Sequence, residues 1–189
     1  MAKRDTSKTV GRLAEAASDL DHVRLRRRIK RADRLDGFVV GLGHRWVLLR
    51  LVDNAMHLDG FAAVRIRDIE EVKADPSGNF VREALEWRAQ GAANEGVPQL
   101  DLDSDRGLIT SAGKAYPLIS IHIEYQRPDV CFIGTPVRVT SKSVDLHEVT
   151  PRARWRDDRR RWQYSDISRV EVGGGYEAAL HAVAGPPKP

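Results

Sequence analysis

Two stretches decide how this chain is read. Phe38-Val39-Val40-Gly41 leads through short strand-like runs to Asp68-Ile69-Glu70-Glu71-Val72, and Cys131-Phe132-Ile133-Gly134 leads the same way to Asp166-Ile167-Ser168-Arg169-Val170. Gly41 precedes Asp68 by 27 positions and Gly134 precedes Asp166 by 32. Each stretch ends in a helical pattern: Phe80 with Ala84-Leu85, then Tyr176 with Ala179-Leu180. A shared order of signals at two places in one chain is the signature of an internal repeat. The longer spacing in the second copy is assigned to one longer hairpin, with Arg156-Asp157-Asp158-Arg159-Arg160 as its charged tip between Trp155 and Trp162.

Working outward, the strand signals are strong. Trp46 to Val52 is an apolar run, Asp59-Gly60 is a tight-turn pair, and Phe61 to Ile66 resumes the strand pattern. Ile119, Ile121, Ile123 and Tyr125 alternate with Ser120, His122 and Glu124, the period of a half-buried strand. Val10, Leu13, Ala14, Ala17 and Leu20 recur at helical spacing over residues 6–20. Asp75-Pro76 opens a second helix, since Asp caps and Pro suits the first helical position. The Gly-, Ala- and Asn-rich segment 90–104 reads as a linker, with a short helix starting near Ser104.

Four or five short strands ending in D-I-x-x-V resemble an SH3-like or Sm-like small barrel, in which a helical turn precedes the last strand. The resemblance implies a mainly β protein with flanking helices (α+β): two such barrels in tandem, with Asp68 and Asp166 capping the turns. The expected organisation is an N-terminal helix and basic segment (1–34), a first barrel with trailing helix (35–90), a linker with a short helix (91–117), a second barrel with C-terminal helix (118–185) and a disordered tail (186–189). The RNA-contacting signatures of Sm proteins are not evident, so the resemblance carries neither their RNA-binding mode nor their ring assembly.

Composition narrows the function classes. The chain has 189 residues, 41% hydrophobic and 31% charged, which is ordinary for a globular protein. It holds no apolar run of the roughly 20 residues that cross a bilayer and no signal-like apolar core near its start. With Cys131 as the single cysteine, no internal disulfide can form, so a cytoplasmic location is expected. Metal-ligand spacings, phosphate-binding glycine loops and nucleophile elbows are missing, and no cofactor is expected. His122 and His147 are expected on outward strand faces, and Cys131 as an inert core thiol. Gly173-Gly174-Gly175 is read as a strand-to-helix turn, and Asp53, Asp59 and Asp68 as turn or cap residues.

The charge is unevenly placed. Residues 1–34 hold 11 Lys and Arg against 5 Asp and Glu, a net +6; the whole chain is +4, leaving −2 for the rest. Two basic clusters follow: Arg24, Arg26, Arg27, Arg28, Lys30 and Arg31 in the head, and Arg156, Arg159, Arg160 and Arg161 beside Trp162 in the hairpin. Arginine with exposed rings suits single-stranded nucleic acid, because the guanidinium neutralises phosphate and the rings stack on bases. Asp157 and Asp158 dilute the hairpin's charge, and Trp155 and Trp162 would also serve as a cross-strand packing pair. The expectation is a non-enzymatic binding protein associated with RNA, or else an adaptor that holds a protein partner in barrel grooves or at strand edges. Convergence of the two clusters on one face favours nucleic acid; separation favours the adaptor.

Overall fold

The computed structural model describes residues 6–187; the first basic residues of the head, and Lys188 and Pro189 of the expected disordered tail, lie outside the described residues. Among the described residues, one continuous antiparallel sheet of ten strands carries four helices. The first half runs α1 (Ser7–Ser18), β1 (His22–Arg27), β2 (Leu35–Leu42), β3 (Trp46–Val52), β4 (Leu58–Arg65), a 3₁₀ turn (Ile66–Asp68), β5 (Ile69–Ala74) and α2 (Gly78–Trp87). The second half runs α3 (Asp105–Ala115), β6 (Ile119–His122), β7 (Cys131–Val139), β8 (Ser143–Val149), β9 (Trp155–Gln163), β10 (Arg169–Val172) and α4 (Gly175–Ala184). The strand order is β5-β1-β2-β3-β4-β10-β6-β7-β8-β9. Each half therefore places its last strand beside its first, and the halves join where β4 pairs β10, with Val64 opposite Arg169 and Phe61 opposite Val172.

This joint corrects the expectation of two separately closed sheets. Both faces of β4 are apolar, Ala62 and Val64 on one side and Phe61 and Ala63 on the other, and its pairing with β10 carries both covered faces on into the second half. Under α1, Leu13 packs with Val23, Leu25, Val39, Val47, Leu49, Val64 and Ile69. Beneath α3, Leu108 and Ile109 meet Ile119, Ile121, Val144, Leu146 and Val170 of the second half together with Trp46, Leu48 and Phe61 of the first. That shared core makes the join a packed interior, because each fully buried Leu or Ile withdraws apolar surface worth about 1.5–3 kcal/mol. On the opposite faces, α2 covers Phe38 through Val81 and Leu85, and α4 covers Leu118, Ile133 and Val149 through Leu180.

Local departures from the sequence reading have physical causes. Strand β6 is buried on both faces, and Glu124 beyond it is buried too, so the alternation of Ser120, His122 and Glu124 does not mark a wet face. The stretch read as a hairpin tip, Arg156 to Arg160, is mid-strand in β9; the turn falls earlier, where Thr150 O accepts from Ala153 N at 2.9 Å. Charged residues stand in this strand because it is an edge, where almost every side chain reaches water. Segment 90–104 is packed rather than loose: Leu102 O accepts from Trp46 N at 3.0 Å and from Arg45 N at 3.2 Å. Asp68 caps no amide; its carboxylate accepts from the Tyr125 hydroxyl at 3.0 Å, and the Asp166 carboxylate from the Ser165 hydroxyl at 3.2 Å.

Candidate functional site

Strand β1 lies between β2 and β5, and this placement decides the fate of the head arginines. Arg24 meets Asp36 at 3.2 Å and Asp75 at 2.6 Å. Arg26 lies 3.3 Å from Glu70 and 3.2 Å from Glu71. Arg27 is buried and grips the Glu124 carboxylate with both terminal nitrogens, one at 2.8 Å, while donating to Asp33 O at 2.7 Å. Arg28, Lys30 and Arg31 remain exposed. Half of the expected cationic head is thus consumed by internal carboxylates, a correction no spacing rule could supply, because the acids come from β2, β5 and the segment after β6.

Seven strands separate β1 from β9 in the sheet order, so the two basic clusters do not form one surface. In β9, Arg161 forms a two-point contact with Asp145 at 2.6 and 3.0 Å, and Arg156 reaches Glu148 at 3.4 Å. Arg160 stands 5.4 Å from the Trp162 ring and 5.6 Å from Phe132; Arg159 is exposed. Trp162 is no open stacking platform, since its ring packs 4.2 Å from Phe132 and its indole donates to Glu148 at 3.2 Å. Nor do Trp155 and Trp162 pair across strands: both lie on β9, seven positions apart and hence on opposite faces. Trp155 instead tilts against His147 at 5.0 Å and donates to Gly185 O at 3.1 Å. Around those two rings, Arg154, Arg156 and Arg159 line an open hollow of about 590 Å³. Sequence reasoning missed this grouping because His147 joins it from β8.

The densest polar cluster lies inside the joint. Glu124 accepts from Arg27 and, at 2.7 Å, from the Ser168 hydroxyl, and lies 3.3 Å from Arg169. Arg169 also donates to His122 Nδ1 at 2.8 Å and pairs with Glu171 at 3.0 Å. Because a guanidinium only donates, Nδ1 must accept, which leaves Nε2 to carry the proton and donate to Glu171 at 3.1 Å. Burial pushes the Glu124 and Glu171 pKa values up, but hydrogen bonds from Arg27 and Ser168 to the first and from His122 to the second, with the nearby positive charges, bring both below the usual carboxylate range. Every hydrogen-bonding group of His122 is spoken for, so it cannot act as a base for Cys131 opposite it across β6 and β7. His122 is buried and Cys131 exposed, the reverse of the sequence expectation, while His147 is half-buried.

The remaining candidates are structural. Asp53 accepts from Ala55 N and His57 N at 2.8 Å each, as a turn residue should. Gly173 turns at φ +71, and the Gly175 amide at the start of α4 donates to Asp59 at 2.7 Å, which takes up the position an external anion would need. No group of three or more histidine, cysteine or acidic residues suited to a metal occurs among the described residues. No helix of the described residues is long and apolar enough to cross a membrane.

Comparison finds no relative. No family model matches the chain, no curated protein matches it, and no solved structure matches its fold.

Proposed function

We propose that this protein is a non-enzymatic binding module that takes a partner chain by strand addition at its open sheet edges, β5 and β9. The observation that carries this reading is the sheet itself: among the described residues, ten strands in an open order leave a six-residue and a nine-residue strand each with one neighbour. Such edges present unpaired amides and carbonyls that an extended segment can satisfy. The strand order supports treating each half as an SH3-like or Sm-like small-barrel unit: β5 pairs β1, β10 pairs β6, and a 3₁₀ turn precedes β5. The saturated His122 and Glu124 cluster argues for a scaffold rather than a reaction centre.

The test is a nuclease-treated pull-down with wild-type protein and with edge-blocked variants. Ala74→Pro and Arg161→Pro each remove an amide from one edge, a change that edge strands tolerate. A stoichiometric partner retained after nuclease and lost with either variant supports the reading. Loss of every association on nuclease treatment, or retention in both variants, overturns it.

A second reading is favoured by the hollow at Trp155: single-stranded RNA bound with phosphate on Arg154, Arg156 and Arg159. Filter binding at two salt concentrations should then show affinity falling steeply with salt, and replacing the three arginines with alanine should remove it. Salt-independent binding would reject it. Deleting residues 1–34 is not a clean test, because it removes β1 and with it the Arg27–Glu124 pair.

A further inference from the structure

Resting on the edge reading above, we infer that the β5 edge takes an acidic, extended peptide, seated in a groove between that edge and the start of α1. Four consecutive residues of β5, Glu70 to Lys73, line one open groove of about 280 Å³ together with Arg26 of β1 and Lys8 and Arg12 of α1. The strand edge is flanked by a helix, so a chain that pairs with the edge also meets the side chains of that helix.

The pairing groups lie beyond the bulge at Glu70. From Glu71 to Ala74, β5 keeps a regular register with β1, with Arg26 opposite Glu71 and Val23 opposite Ala74. Asp75 N donates to His22 O on the β1 side, so by alternation Val72 and Ala74 turn their amides and carbonyls outward. An extended peptide satisfies both residues; RNA offers no alternating row of amides and carbonyls.

Charge selects the class of peptide. Glu71 lies 3.2 Å from Arg26 and 3.1 Å from Lys73, and Glu70 lies 3.3 Å from the same Arg26, so both carboxylates of the groove are already held. Lys8 and Arg12 are exposed and form no ion pair among the described residues. They stand four positions apart on one helix face, a like-charge spacing that is unfavourable by itself. The first turn of α1 contains no acidic residue and the Thr6 side chain makes no capping bond, so no carboxylate of the helix itself offsets its positive end. Four cations against two carboxylates leave the groove lining at net +2. An incoming acidic side chain supplies what Lys8 and Arg12 lack, and a basic one adds to the excess.

Fluorescence anisotropy tests this with two labelled eight-residue peptides, one alternating glutamate with valine and one alternating lysine with valine. The glutamate peptide should bind wild type at least tenfold more tightly than the lysine peptide. Ala74→Pro removes an outward amide and should abolish that binding, while Arg161→Pro at the other edge should leave it unchanged. Lys8→Glu with Arg12→Glu should weaken it at least tenfold and turn the preference toward the lysine peptide. Both side chains are exposed and acidic residues suit a helix start, so this pair of changes keeps the fold. Amide exchange must first show that Ala74→Pro retains the wild-type protection of β1 and β3; if it does not, the charge-reversed pair decides alone. No binding of the glutamate peptide at about 1 mM protein, binding that survives Ala74→Pro, or indifference to charge reversal overturns the inference. So does a twelve-nucleotide oligouridylate that binds more tightly than the peptide and ignores Ala74→Pro. If both peptides bind equally and both are lost with Ala74→Pro, the edge reading stands and the acidic preference alone falls.

Discussion

Replacing Glu124 with glutamine keeps the side-chain volume and removes only the charge, so it isolates what the buried carboxylate contributes. Its side chain is fully shielded from water, and those of Arg27 and Arg169 are 2% and 5% exposed. Glu124→Gln therefore leaves two guanidinium groups facing a neutral amide in a dry interior. Breaking one partner of a buried pair costs about 3–5 kcal/mol. For a chain of this size about 1 kcal/mol corresponds to about 2–4 °C, so the melting temperature should fall by roughly 6–20 °C. The acid limb should change as well. Because folding lowers the Glu124 pKa below the ordinary 4.5, its contribution is present above that value and is lost as pH falls through the folded-state pKa. Glu171 has the same sign. Urea titrations from pH 7 down to about 3 should show stability falling less steeply in Glu124→Gln than in wild type. Adding Arg27→Met should recover part of the loss, with a coupling above about 1 kcal/mol in a double-mutant cycle. A cost under about 1 kcal/mol, or an unchanged acid limb, would refute the view that this cluster locks the two halves together.

Two further outcomes test how the sheet is built. A Cβ added at Gly134 would sit 2.2 Å from His147 O, so Gly134→Ala should destabilise by at least about 1–3 kcal/mol, the usual cost of overpacking, read from the urea midpoint. At Gly11, inside α1, nothing lies within 4 Å of an added Cβ and the residue is exposed; Gly11→Ala should raise stability by about 0.5–1 kcal/mol, seen as a higher thermal midpoint.

Apolar period and turn chemistry carried most of the secondary structure. The helical spacing of Val10, Leu13 and Ala17 gave α1 and the run from Trp46 gave β3, whereas Asp59-Gly60, expected as a tight turn, lies inside β4 with Gly60 at φ +67, and the turn falls earlier, where His57 O accepts from Asp53 N at 2.9 Å. The strand order runs β5-β1-β2-β3-β4 in the first half and β10-β6-β7-β8-β9 in the second. Charge was read less well. A basic run looks the same on paper whether its partners are water or carboxylates; Arg24, Arg26 and Arg27 differ from Arg28 and Lys30 only in what β2, β5 and Glu124 bring to them. Edge status misled in the same way, since Arg156 to Arg160 looks like a loop tip and is a strand that lies at the end of the sheet.

The amino-acid sequence by itself determined that the chain is mainly β with flanking helices, because alternation, spacing and turn residues act between near neighbours. Only the tertiary structure decided that the halves share one sheet, that Arg27 is buried against Glu124 while Arg24 and Arg26 pair with carboxylates of adjoining segments, and which strands have a neighbour on one side only. Those outcomes depend on contacts between residues as far apart as Arg27 and Glu124, whose mutual burial and charge no local pattern encodes.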